Sequence, residues 1–224
     1  MAFTTNFAMS LLAWWRAAEV VSFIARNIGR SGSDVLTHRL GLLPGATVLH
    51  EQMPHYRYLL KDVQSNPMLA ERFFAMIKAP ALLAYPTPVM TEFNRLFSKG
   101  FFQPWIAMGY RPGLIFHRRN ARDNAISMLL KNAVTGRTVM GLRYVIAPGV
   151  SLYLALREAE KLTDFQPCYW YCLEMHLRHD LYIQVCRELD IVYDPLHITG
   201  LNDPARHLLL DADEKDLSVL DEVD

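Results

Sequence analysis

The chain reads as an α/β protein, a three-layer sandwich with helices covering a central parallel sheet. Two observations predict this. Short apolar runs, rich in β-branched and aromatic residues, end abruptly at Gly, Ser, Pro or basic turns, as buried strands do. Stretches with helical spacing separate these runs, and strands alternating with helices build a parallel sheet covered on both faces. At 224 residues the chain fits one domain with a full core.

The elements follow in order. Val20–Ala25 reads as the first buried strand. Asp34–Leu43 reads as a helix, closed near Gly41 and Pro44. Thr47–His50 is a second strand with Glu51 at its carboxyl end, and Gln64–Lys78 is helical in pattern. Pro80, Pro86 and Pro88 make 79–90 a loop or short turns. Thr91–Lys99 and Gln103–Met108 read as helices ahead of a strand at Gly113–Phe116, and Asp123–Asn132 as a helix that Asp123 can cap. Val134–Ile146 is ambiguous. Ser151–Leu162 and Tyr169–Leu189 read as helices, and Ile191–Tyr193 as a last strand. Residues 1–210 form the expected domain, and 211–224 an acidic tail with little apolar content.

Composition excludes little. Lys+Arg equals Asp+Glu at 23 each, so no net charge recruits a polyanion, and no nucleic-acid partner is expected. No apolar stretch reaches the roughly 18–20 residues that span a bilayer. The apolar start Phe7–Trp15 has neither a preceding charge nor a clean cleavage site, and a helix covering the sheet edge or touching a partner is expected there. Cys168, Cys172 and Cys186 are too few and too sparse for a secreted disulfide scaffold. Cys168, Cys172, His176 and His179 share a helix face, but one face poorly surrounds a metal, and no metal is expected. A cytoplasmic location is the expectation, and a homo-oligomer is compatible with the sequence.

Two turns carry chemistry. Arg26-Asn-Ile-Gly-Arg-Ser-Gly-Ser-Asp34 follows the first strand. Gly29 and Gly32 let the backbone approach a ligand, and the amides and dipole of the next helix favour an anion. Arg30 adds a planar charged fork, while Ser31 and Ser33 add hydroxyl donors. Ser-Gly-Ser-Asp is equally an ordinary helix cap. Arg118-Arg-Asn-Ala-Arg-Asp-Asn-Ala-Ile-Ser127 follows the strand at Gly113–Phe116. Alternation sends Arg118 and Arg119 to opposite sides, so one of them faces the ligand. Ser127 lies about one turn inside the helix and can look back toward the strand end. A basic turn alone is also an ordinary solvated surface. Ligands of parallel sheets bind at the carboxyl ends of strands, so both turns and Glu51 can share one cleft.

Together these patterns resemble the sulfotransferase superfamily. Gly29-Arg-Ser-Gly-Ser-Asp34 is similar to its 5′-phosphosulfate loop, in an Arg-Ser-Gly form. Arg119-Asn-Ala-Arg-Asp-Asn-Ala-Ile-Ser127 is similar to its 3′-phosphate motif, with matching Arg-to-Ser spacing. Leu43-Pro-Gly-Ala-Thr-Val-Leu-His-Glu51 resembles the strand that delivers a carboxylate base in several branches. The resemblance covers roughly residues 20–55 and 111–132.

It implies a P-loop-like sulfotransferase fold and 3′-phosphoadenosine-5′-phosphosulfate (PAPS) as donor. It implies Arg30 at the 5′-phosphate and the departing sulfonate, with Ser31, Gly32, Ser33 and Asp34 in the donor loop. It further implies Arg119 and Ser127 at the 3′-phosphate, and Glu51 as general base toward a hydroxyl or amine acceptor. His50 and His55 are rival bases. Trp105, Tyr110, Trp170 and Tyr193 are candidates to stack on adenine. Tyr56, Tyr58, Phe101, Phe102 and Trp105 could line an acceptor pocket or fill a core. The acceptor, a small molecule or a glycan, is not legible.

Asp34 stands where the family commonly places Thr or Ser, and Ala121 where it places Pro. Asp34 and the apolar start motivate a second reading, an inactive sulfotransferase-fold binding protein. A P-loop kinase is disfavoured, because no Gly-Lys-Ser/Thr is present.

Overall fold

The computed structural model describes residues 21–27, 37–38, 41–42, 46–85, 89–150, 153–191 and 193–198. The donor loop Arg30–Asp34, the apolar start Phe7–Trp15 and the tail Asp211–Asp224 lie outside the described residues. Of the predicted helix at Asp34–Leu43, Thr37 and His38 are helical, and the Gly41 amide donates to the Thr37 carbonyl (3.0 Å).

The chain is α/β. Strand β1 is Val21–Asn27 and β2 is Ala46–His50. Helices α1 (Asp62–Ser65) and α2 (Met68–Phe73) follow, and α2 runs through a π turn at Phe74–Lys78 into α3 (Ala79–Leu83). Strand β3 is Val89–Phe93, α4 is Phe102–Ala107, and β4 is Gly113–Arg119. Helices α5 (Ala121–Leu130), α6 (Val139–Tyr144) and α7 (Phe165–Glu188) precede β5 (Tyr193–Ile198). The strands form one sheet in the order β2-β3-β1-β4-β5, every pair parallel.

Several sequence expectations need correction. Thr91–Lys99 is not a helix. Val89–Phe93 is a strand between β1 and β2, and 95–100 are turns. Its β-branched and aromatic residues satisfy their backbone groups against two neighbours, which a short helix after two prolines could not match. Part of the expected loop 79–90 is α3, which continues the helical run directly after the π turn, with Pro80 at its second residue. Gln64–Lys78 is divided near Pro67. Ser151–Leu162 is not a helix either: its described residues hold bends, turns and one 3₁₀ turn at Ala159–Lys161. There the Arg137 side chain donates to the carbonyls of Ala159 and Leu162 (both 2.7 Å). Glu158 is left-handed (φ 51°), which an α-helix cannot contain.

The helices that hold owe it to their ends. In α7, Pro167 sits in the first turn. At its other end Asp190 is left-handed (φ 52°), and the Ile191 amide donates back to the Cys186 carbonyl (2.8 Å). Helix α5 closes the same way at Asn132 (φ 51°), with the Ala133 amide on Met128 (3.0 Å). Its N-cap is Asn120, not Asp123: the Asn120 side chain accepts from the amides of Arg122 (3.0 Å) and Asp123 (3.2 Å).

One core packs β2, β4, α2, α4 and α7 around Tyr56, Phe73, Phe74, Phe97, Phe101, Phe102 and Trp105. Tyr56 and Phe101 meet edge to face at 4.7 Å, and Phe97 and Trp105 at 4.5 Å. These rings therefore fill a core. Among the expected pocket-lining residues Tyr58 alone is exposed. A second cluster joins Ala125 and Met128 of α5 to Cys168, Tyr171, Cys172 and Met175 of α7. In β4, Leu114, Ile115, Phe116 and His117 are all buried, so both faces of that strand are covered. Among the described residues, no helix is long and apolar enough to cross a membrane.

Candidate functional site

The sheet order locates a crevice. From β1 the chain passes over β3 to β2, whereas from β4 it moves the other way to β5. Strands β1 and β4 are neighbours whose onward connections diverge, and in parallel sheets ligands bind at the carboxyl ends of such a pair. The turn containing Arg30 leaves one of these strands, and the turn containing Arg119 and Ser127 leaves the other. Asn27 pairs with His117, so β4 runs two residues beyond the end of β1. Arg118 and Arg119 therefore lie past the last paired residue of β1.

Arg118 donates from Nη2 to Asp180 Oδ1 of α7 (2.6 Å), so it serves the helix packing. Arg119 is the last residue of β4 and is half-buried, as is Ser127. Two α5 amides that could meet an anion are occupied by Asn120. A phosphate there would depend on the Arg119 and Ser127 side chains.

Glu51 lies at the same edge of the sheet. Its amide donates to the Phe93 carbonyl (2.9 Å), extending the β2–β3 pairing by one residue. Three strand steps from β2 to β4 put it about 14 Å from the Arg119 strand across the sheet. The two share an edge and do not touch. Glu51 is left-handed (φ 47°), an arrangement that costs a non-glycine residue about 1 kcal/mol. Its carboxylate is firmly held. Arg95 Nη2 donates to Oε2 (3.1 Å), Arg95 Nε lies 2.7 Å from Oε1, and His55 Nε2 lies 3.6 Å from Oε2. His55 accepts the Arg57 amide on Nδ1 (3.0 Å), which directs its protonated Nε2 at Glu51. Burial pushes the Glu51 carboxyl up, but His55 and Arg95 outweigh it and hold the group below its ordinary value. His50, the other rival base, is exposed.

Three of the adenine candidates are core residues. Trp105 and Tyr110 are buried in the aromatic cluster, and buried Trp170 donates from Nε1 to the Leu154 carbonyl (3.0 Å). Tyr193 begins β5 and accepts from Arg187 Nε (2.8 Å). The cysteines are buried thiols outside any disulfide, with Cys172 Sγ 3.9 Å from Met128 Sδ. Among the described residues, no group of three or more His, Cys, Asp or Glu is placed to hold a metal.

Sequence reasoning missed a buried polar set behind Glu51. Lys78 Nζ donates to Glu92 Oε1 (2.7 Å) and to the carbonyls of Gln52 (3.1 Å) and Pro54 (3.4 Å). Asn94 Nδ2 donates to the same Glu92 oxygen (2.9 Å). These bonds tie the turn after β2 to the end of β3. Reading 91–99 as a helix hid them. The signal was the run Val-Met-Thr-Glu-Phe, which is strand-like in composition.

Beneath the crevice, burial pushes the His117 imidazole down from 6.5 to about 3. The unfolded chain takes up a proton as pH falls through 6.5, and the folded chain does not until about 3. Stability is therefore complete above pH 6.5 and is lost as pH falls toward 3. At pH 4.5 the loss should be about 2–3 kcal/mol. Urea denaturation at pH 7 and pH 4.5 checks this. The His117→Gln variant should lose that share of the pH dependence, and an equal slope in both proteins would reject it.

No protein-family model matches this chain, and no curated protein matches it at a significant level.

Proposed function

We propose that this protein moves a sulfonate group from 3′-phosphoadenosine-5′-phosphosulfate to a hydroxyl or amine acceptor. The observation that carries the reading is the sheet order. It sets the two basic turns on neighbouring strands with diverging connections, and it sets Glu51 at the same edge. A P-loop-like three-layer fold belongs to the proposal. Crossovers are right-handed, so the β1-to-β2 connection takes one face and the three that run toward β5 take the other.

The described residues of the second turn suit a phosphate. Arg119 ends β4, and Ser127 lies nearly two turns into α5. In this reading Arg119 and Ser127 hold the 3′-phosphate. Arg30, with Ser31, Gly32, Ser33 and Asp34, holds the 5′-phosphate. The donor supplies the sulfonate. Arg30 compensates charge that builds on the departing phosphate. Glu51 takes the acceptor proton, and Arg95 and His55 orient its carboxylate.

Calorimetry with 3′-phosphoadenosine-5′-phosphate tests the reading. The wild type should bind, and Arg119→Ala should bind about 10- to 100-fold more weakly, the loss of one or two charge-assisted hydrogen bonds. No binding at near-millimolar nucleotide would sink the donor site.

The hold on Glu51 favours a second reading, an inactive sulfotransferase-fold binding protein. A carboxylate tied to Arg95 with its proton affinity lowered is a weak base. Asp34→Thr discriminates. A large gain in nucleotide affinity marks a degenerate site, and a loss marks Asp34 as part of a working one.

A further inference from the structure

The interior between 94–100, the end of α6 and the inner face of α7 holds more cationic charge than the fold needs. Lys99 is fully buried. Its ammonium donates to the Tyr144 carbonyl (2.5 Å) and lies 5.1 Å from the Tyr171 ring, so its contacts are neutral. Arg178, 2% exposed, donates from Nε to Glu174 Oε1 (2.7 Å) and faces the Tyr153 ring at 4.7 Å. Its Nη2 is buried with no hydrogen-bond partner. Arg95 lies over the Tyr144 ring (4.4 Å) while it holds Glu51.

These groups form one cluster. Tyr171, Glu174 and Arg178 recur three and four residues apart on the inner face of α7. Lys99 lies over the first of them and shares Tyr144 with Arg95. Burial pushes the Lys99 ammonium well below its ordinary range, and Arg95 and Arg178 push the same way against Glu51. Two arginines and a lysine whose charged form is disfavoured thus meet two carboxylates, each engaged by one arginine, and an entering anion would restore the charge on Lys99. Buried charge without a counter-charge is expensive, and the cost is recovered when an anion enters. Tyr144 closes the cluster from a six-residue helix, too short to be stable by itself.

We propose that Arg95, Lys99 and Arg178 form a binding site for an oxyanion carried by an acidic acceptor, with the Tyr144 carbonyl capping Lys99 until that anion displaces it. Arg95 links the site to Glu51, so a bound acidic group would leave the rest of the acceptor near that carboxylate. Naming the ligand as the acceptor rests on the sulfonate-transfer reading, but the anion site does not.

Inorganic sulfate is the probe, with chloride at equal ionic strength as control. Thermal unfolding should rise by a few degrees in about 10 mM sulfate for the full-length wild type. Lys99→Met should lose this response, bind 3′-phosphoadenosine-5′-phosphate as the wild type does, and melt higher without sulfate, since it deletes a buried charge. Arg178→Met should also lose the response and stands in if Lys99→Met does not fold. Arg119→Ala should retain it, which separates the cluster from the donor crevice. A response kept by both methionine variants, lost in Arg119→Ala, or absent from the wild type would overturn the site. If sulfate binds through Lys99 but the nucleotide does not bind, the transfer reading fails and the anion site stands.

Discussion

Lys78→Ala is expected to destabilise the protein by about 3–5 kcal/mol. Lys78 and Glu92 are 0% and 1% exposed, and their charged atoms lie 2.7 Å apart. Removing the ammonium leaves the carboxylate buried, with Asn94 as its one remaining donor among the described residues. The carbonyls of Gln52 and Pro54 lose their donor too. Charge-balanced removal should behave differently. In Lys78→Met/Glu92→Leu no charge is stranded, and the pair's own desolvation cost disappears, so most of the loss should be regained. Urea denaturation of the two variants measures the contrast. A Lys78→Ala cost below about 1 kcal/mol would mean that water reaches Glu92. The pair also anchors the turn that carries Glu51 and His55. The single variant should therefore disturb the candidate base, which links this stability effect to function.

Gly141→Ala should be nearly as damaging, for a backbone reason. A Cβ at this position would sit 1.8 Å from the Val134 carbonyl oxygen and 2.6 Å from its carbon. Both are main-chain atoms and cannot rotate away. The Gly141 amide also donates to Thr138 Oγ1 (3.2 Å), the N-cap of α6. Helix α6 must shift or unwind, at a cost of about 3 kcal/mol, or roughly 6–12 °C in melting temperature for a chain of this size. Tyr144 ends α6, so the shift should also withdraw the carbonyl from Lys99. Hydrogen exchange should show the amides of 139–145 losing protection first. A variant that melts within 2 °C or so of the wild type would mean that 134–141 repacks easily.

Much of the α/β plan was legible. Strands β1, β2 and β4 and the long α7 each carry a strong local signal. The apolar runs end at turns, and Tyr169–Leu189 has helical spacing, although α7 begins four residues earlier at Phe165. The errors fall where local preference is weak and a distant partner decides. Val-Met-Thr-Glu-Phe is strand-like in composition but only five residues long, and β1 and β2 on either side make it a strand. Ser151–Leu162 has helical composition, but Glu158 is left-handed and the Arg137 side chain binds the carbonyls of Ala159 and Leu162 from outside. Trp105, Phe101 and Phe102 looked equally like pocket or core, since an aromatic residue reads the same in sequence whether it meets solvent, a ligand or another ring.

The same division applies to the site. By itself the sequence determined which residues could meet an anion, because glycine spacing, arginines and hydroxyls beside a strand end are local chemistry. It also determined that Arg118 and Arg119 part company, since alternation is a property of one strand. Only the tertiary structure decided that β1 and β4, the strands that precede the two turns in sequence, are neighbours. Only the tertiary structure paired Glu51 with Arg95 and His55, and gathered Arg95, Lys99 and Arg178 against α7. Those facts depend on which buried charges end up facing one another. In a low-dielectric interior that pairing outweighs anything a single segment can express.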